Sequence, residues 1–274
     1  MTDTNFAELE KRIHFAETIA KEAGEILGKY LGNLEGFNAK ASAVDLVTEA
    51  DQASDQHLKN RILGIFPQDL ILTEEANGNE AHQLKKEAEE SEKFLWCVDP
   101  LDGTTNFVHG YPKFCVSIGL ILKTEVVGGV IYAPAIGEIF IGGKGIDSTL
   151  NGQFIHTSMI ESCSNALLAT GFSKGANAEL EKPLRNLEVI LKHCHGIRRS
   201  GSAALDLCDV ACGRLEGFYE WQLNAWDVVA GQAIVEAAGG KLTDIRGTPH
   251  DPFAGSLCAS NKHIHEELLG LLTD

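Results

Sequence analysis

The chain has 274 residues, of which 44% are hydrophobic and 23% charged, and its formal net charge is -16. That balance excludes a disordered polymer, and so negative a surface disfavours nucleic-acid backbones and anionic membranes as partners. No apolar run approaches the roughly 20 residues of a membrane helix, no basic-then-apolar leader opens the chain, and the seven cysteines are scattered without a CxxC pair, so free thiols in a reducing cytoplasm are expected.

Phe6, Leu9, Ile13, Ala16, Ala20, Ala23 and Leu27 recur at helical spacing and predict an amphipathic helix over Asn5–Leu31, capped by Thr4 and ended by Gly32. A second helix is expected from near Thr48, where Thr48 and Asp51 suit a capping box, to Phe66, with Pro67 as the stop. Leu70–Thr73 reads as a short strand. Ala76–Lys93 is polar and without clear period, and reads as a surface excursion, in part helical. Strands at Phe94–Val98, Phe114–Leu122, Val126–Tyr132 and Glu138–Ile141 then suggest an antiparallel sheet beside the opening helices. After about Gly145 the pattern alternates. Strands are expected at Leu167–Thr170, Leu215–Tyr219, Lys241–Asp244 and Leu257–Ala259, with helices at Glu179–Lys192, Ala203–Cys212, Trp226–Ala238 and Lys262–Leu272. The chain divides into an α+β half, residues 1–145, and an α/β half, residues 146–274, with no linker between them and therefore a shared core.

Four acidic sites fall at the edges of these elements. In Asp99-Pro100-Leu101-Asp102-Gly103-Thr104-Thr105-Asn106-Phe107 a buried strand runs into two carboxylates on a stiff turn. Such a pair can share hard cations that take oxygen ligands, and the carbonyl of Leu101 lies between them. Gly103-Thr104-Thr105 resembles the start of a helix whose free N–H groups would meet an anion; a plain pair of Asp-Pro and Asp-Gly turns is the competing reading. Glu74-Glu75 follows an apolar strand and is either a third ligand with a neighbouring acid or the start of a solvated loop. Trp226-Asp227 opens an Ala-rich helix, where Asp227 is either a ligand or a cap. Lys40 with Asp45, Glu49 and Asp51 is either functional or surface charge and capping. His193-Cys194-His195 has no partner pair at zinc spacing.

Taken together and in this order, the sites resemble the inositol monophosphatase family. Asp99–Phe107 fits its first signature, and Trp226-Asp227-Val228-Val229-Ala230-Gly231-Gln232-Ala233 with Glu236, Ala237, Gly239 and Gly240 fits its second. The resemblance implies a five-layer αβαβα sandwich of the sugar-phosphatase type and a homodimer. It implies that Glu74, Asp99, Asp102, Asp227 and the carbonyl of Leu101 hold two or three magnesium ions, with Glu74 also touching the catalytic water. Thr104 and Asp51 would orient and deprotonate that water. Gly103 and Thr104 would hold the phosphate, and Asp102, Gly201, Ser202, Ala203, Glu220 and Asp227 would face the sugar. Lys40 would reach the phosphate or a third ion. Thr73 departs from the pattern, standing where the family usually has glycine, and so does the Asn224-Ala225 pair ahead of Trp226.

The expected reaction is hydrolysis of a small phosphate monoester, myo-inositol monophosphate first, by direct attack of water. Alternatives on the same fold are fructose-1,6-bisphosphatase, NADP phosphatase and adenosine bisphosphate phosphatase. Glu220 favours a polyol over these, because a carboxylate accepts from hydroxyls and repels a second phosphate. An alternative of another class is a regulatory binding protein on a retired phosphatase scaffold. A retired site should have lost ligands, and here the whole set is present.

Overall fold

A computed structural model describes residues 2–31, 49–74, 78–172 and 180–272. The opening helix α1 (Asp3–Tyr30) starts earlier than the periodicity alone suggests. Its cap is Thr2, not Thr4, with Thr2 Oγ1 accepting from the Asn5 amide at 3.3 Å and Asp3 complementing the first turn. Helix α2 (Glu49–Ile65) follows; Thr48, and with it the expected capping box, lies outside the described residues.

The first sheet contains β1 (Leu70–Thr73), β2 (Phe94–Asp102), β3 (Cys115–Leu122), β4 (Glu125–Ala133), β5 (Glu138–Gly143), β6 (Ile146–Leu150) and β7 (Gln153–Phe154), in that spatial order. The excursion Ala76–Lys93 is largely helical: helix α3 (Gly78–Glu90) occupies most of it, with Ala81, Leu84 and Ala88 turned to the core. β1 pairs with β2 in parallel. Parallel neighbours need a crossover of a dozen or more residues, and α3 is that crossover. The sheet does not end at residue 145. Lys144 and Gly145 form the tight turn between β5 and β6, which pair antiparallel with Gly143 opposite Ile146, so the change of architecture comes after Phe154.

The second sheet has the order β11-β12-β10-β8-β9, built from β8 (Leu167–Thr170), β9 (Gly196–Arg198), β10 (Gly217–Trp221), β11 (Lys241–Thr243) and β12 (Ser256–Ser260). Helices α1 and α2 cover one face of the first sheet. Helices α6 (Ala203–Ala211) and α7 (Ala225–Ala237) lie between the two sheets, and α5 (Glu181–Leu191) packs with α8 (His265–Leu271) on the outer face of the second. This is the αβαβα sandwich. Among the described residues no helix is long and apolar enough to cross a membrane.

One packing feature positions the site. Gly119 on β3 pairs with Gly129 on β4, and Gly129 pairs with Gly142 on β5, so three glycines line up across the sheet. Helix α7 lies in the trench they leave. A Cβ at Gly119 would stand 2.4 Å from Val229 Cγ1, one at Gly129 2.3 Å from the Ala230 carbonyl oxygen, and one at Gly142 3.0 Å from Ile234 Cα. The sheet therefore fixes how close α7, which carries Asp227 in its first turn, comes to the end of β2.

Candidate active site

β2 does not stop at Pro100. It runs on to Asp102 with a register shift: Asp99 faces Ser117 and Asp102 faces Cys115, three steps on β2 against two on β3. In a regular strand residues three apart point to opposite faces, and the extra residue of a bulge lets both carboxylates turn to one side. Asp99 accepts from the Leu101 amide at 3.0 Å, and Ser54 of α2 donates to the Pro100 carbonyl at 2.9 Å, tying the bulge to the helix layer. Gly103 then takes φ +86°, where a Cβ would also stand 2.8 Å from the Lys113 carbonyl oxygen, so only glycine fits before the short helix α4 (Thr104–Val108).

Asp102 is joined to the second half of the molecule. The Ser202 hydroxyl donates to its Oδ2, the Ala204 amide donates at 3.0 Å, and the Cys115 thiol lies at 3.7 Å. Ser202 is the cap of α6 and also accepts from the Leu205 amide at 3.2 Å. Asn106 ties the same region by donating to the Lys113 carbonyl at 2.6 Å and the Ser200 carbonyl at 2.9 Å. Asp227 stands in the first turn of α7, its Oδ2 accepting from the Asn224 amide at 2.6 Å. The capping reading of this residue holds, since one oxygen closes the helix start, and the side chain also lines the cleft.

A cleft of about 320 Å³ brings together Glu74, Asp102, Gly201, Ser202, Ala203, Glu220 and Asp227. Asp99 lies buried beneath. Burial first, then the charges of Glu74, Asp102, Asp227 and Asp51, hold its carboxyl well above the usual range. Burial likewise raises Asp102, against the hydrogen bonds from Ser202 and Ala204. Burial pushes Asp227 up to about 8, with Asp102 and Glu74 adding to it. Burial pushes Glu220 to about 8 as well; Asp227 adds to the rise and Arg199 opposes it. Like-charged carboxylates gathered this closely call for a cation, and a donor set made wholly of oxygen suits a hard divalent one such as magnesium. Among the described residues no three ligating side chains close on a single point; Glu74, Asp102 and Asp227 line the cleft, and the charges of all three act on Asp99.

Other predicted positions fall as follows. Thr104 Oγ1 donates to the Leu101 carbonyl at 3.1 Å, and Asp51 is buried on α2, acting on Asp99 through its charge. Lys40 lies outside the described residues.

The chain matches the Inositol monophosphatase family over residues 8–274. An inositol-1-monophosphatase from Synechocystis sp. is 37% identical over 262 residues, covering 96% of this chain and 88% of that protein. The chain belongs to the inositol monophosphatase family. The structure of an inositol monophosphatase from Anabaena (Nostoc) superimposes with a TM-score of 0.83 at 38% identity, covering 96% of both chains. A putative Nus factor SuhB from Neisseria meningitidis serogroup B is 33% identical over 255 residues, covering 93% of this chain and 95% of that one. Phosphatases of the inositol monophosphatase family are generally magnesium-dependent, in keeping with the oxygen donors found here.

The sequence did not single out Gly171, Arg199, Asp206 or Gln222, which also line the cleft. Asp206 is buried on α6, and burial pushes its carboxyl up to about 7. Its spacing from Ser202 places it one helical turn past the cap, a signal the sequence carried; Gly171 and Gln222 carried none, since only the fold brings their loops to the cleft.

Proposed function

We propose that this chain is a magnesium-dependent phosphatase that hydrolyses the phosphate monoester of a small polyol, with myo-inositol monophosphate as the leading substrate. The observation that supports this most is the gathering of Asp99, Asp102, Asp227, Glu74 and Asp51 around one end of a cleft whose wall carries Glu220. Glu74, Asp99, Asp102, Asp227 and the Leu101 carbonyl would hold two or three magnesium ions. Bound there, such ions supply the positive charge that offsets the phosphate and raises the acidity of the attacking water. The chain's own groups do the remainder. The Thr104 hydroxyl donates a hydrogen bond to the Leu101 carbonyl, which leaves its oxygen to accept a hydrogen bond from the attacking water, and Asp51 would be the carboxylate that takes up the water's proton. Gly103 and Thr104 present main-chain N–H groups to the phosphate, and Lys40 is assigned to the same group. Gly201, Ser202, Ala203 and Glu220, with Asp102 and Asp227, face the sugar.

Attack is by water without a covalent intermediate. Cys115, the thiol beside Asp102, is buried, and burial together with the Asp102 charge pushes it well up, so it is no nucleophile. Glu220 argues against a substrate carrying a second phosphate, and the intact acidic set argues against a purely regulatory role. We place the enzyme in the cytoplasm as a homodimer.

A panel of phosphate monoesters assayed with and without magnesium tests the reading. Inositol monophosphates are expected to lead the panel, and Glu220→Ala to lower kcat/KM for them about tenfold to a hundredfold while sparing a small aryl phosphate. A panel led by bisphosphates would overturn the substrate assignment.

A further inference from the structure

Gly171 follows β8 directly, and β8 lies parallel to β10 with Thr170 opposite Tyr219, so the next step along both strands brings Gly171 beside Glu220. A Cβ built at Gly171 would stand 1.9 Å from Glu220 Oε2, 2.1 Å from Cδ and 2.2 Å from Oε1. No side chain at all can occupy position 171 while the carboxylate keeps its place. The backbone does not require glycine, because Gly171 is not among the residues of positive φ. The need is for space alone, and the group that takes the space is the carboxylate of Glu220.

From this we infer that Gly171 is a positioning residue for substrate choice: its bare main chain is the seat that holds the Glu220 carboxylate on the cleft wall, so that the cleft selects a phosphate monoester offering a hydroxyl at that place. The inference rests on the proposed role of Glu220 toward a polyol. Around the seat, Arg199 attracts the carboxylate, and Asp227, Asp206 and Asp102 repel it. The clash is with the far end of a flexible side chain, so a methyl group at 171 displaces that end and leaves the fold intact.

The experiment is a double-mutant cycle on the full chain with magnesium present. Gly171→Ala, Glu220→Ala and the pair are compared on inositol 1-phosphate and on 4-nitrophenyl phosphate, with thermal melts to confirm folding. Gly171→Ala is expected to lower kcat/KM for inositol 1-phosphate about tenfold, chiefly through KM, and to change the aryl phosphate less than about twofold. In the Glu220→Ala background the same change is expected to do nothing further on either substrate. An equal loss on both substrates, or a loss that persists without Glu220, would overturn the seat. So would a silent Gly171→Ala beside an effective Glu220→Ala, and that pattern leaves the polyol reading standing. A silent Glu220→Ala would remove the polyol reading and the seat together.

Discussion

Ser202 donates its hydroxyl to Asp102, a residue one hundred positions earlier in the chain, and with the same oxygen caps α6. One side chain thus fastens the bulged end of β2 to the helix layer between the sheets. Ser202→Ala removes a cap, worth about 0.5–2 kcal/mol, and leaves Asp102 short of a buried donor. Urea melts should show a loss of about 1–3 kcal/mol, and the magnesium concentration needed for half-maximal activity should rise several-fold. Ser202→Thr, which keeps the hydroxyl, should stay close to the wild type in both.

The glycine trench under α7 gives a second expectation. A Cβ at Gly129 meets the main chain of Ala230, which cannot turn aside as a side chain would. Gly129→Ala should destabilise the fold by about 1–3 kcal/mol and lower activity by moving Asp227. Gly28 on α1 is the control, because a Cβ there meets nothing within 4 Å. Gly28→Ala should be neutral or stabilising by up to about 1 kcal/mol. Melting temperatures and turnover of the two variants, measured together, check this.

His265 predicts how stability follows pH far from the cleft. Its Nε2 lies 2.9 Å from Thr243 Oγ1, whose own proton goes to the Asp244 carbonyl at 2.7 Å, so Nε2 carries the hydrogen and Nδ1 accepts from Ser260 Oγ at 2.8 Å. Burial first, then Lys241, lowers this imidazole from 6.5 to about 4. The unfolded chain then takes up a proton in a window where the folded chain does not. The stabilisation is whole above the unfolded value and is lost as pH falls toward the folded one, by at most about 3 kcal/mol. The difference in unfolding free energy between wild type and His265→Gln should shrink on going from pH 7 to pH 4.5. A difference independent of pH would mean that His265 titrates normally.

Asp99→Asn should separate fold from function. Asp99 sits among like charges, and removing one relieves repulsion. In chelator the variant should melt at or above the wild-type temperature, while turnover with magnesium falls by more than about a hundredfold, beyond the loss typical of groups that merely support a ligand. A folded variant of wild-type activity would take Asp99 out of the ligand set.

Most of the sandwich was legible because its elements carry strong local patterns. The apolar run Phe94–Val98 reads as a strand buried on both faces, and β2 is buried throughout. Ala81, Leu84 and Ala88 are surrounded by charged residues, so the segment reads only as partly helical, and the parallel pairing of β1 with β2 depends on the full crossover that α3 makes. The candidate site divides along the same line. Asp99, Asp102 and Asp227 stand in contiguous motifs and are legible as candidates, and the bulge that turns the first two together is a relation between strands. Gly171 could not be found, since its meaning lies in a carboxylate 49 positions away in the chain.

The central claim is that the acids around Asp99 hold metal for phosphate-ester hydrolysis. Phosphate release from inositol 1-phosphate, followed after exhaustive chelation and again after magnesium is restored, tests it most directly. The account predicts release reduced to background in the stripped protein, full recovery with magnesium, and inhibition when calcium replaces it, since calcium's looser coordination does not suit a site shaped for near-octahedral geometry. Undiminished release from the stripped protein would contradict it.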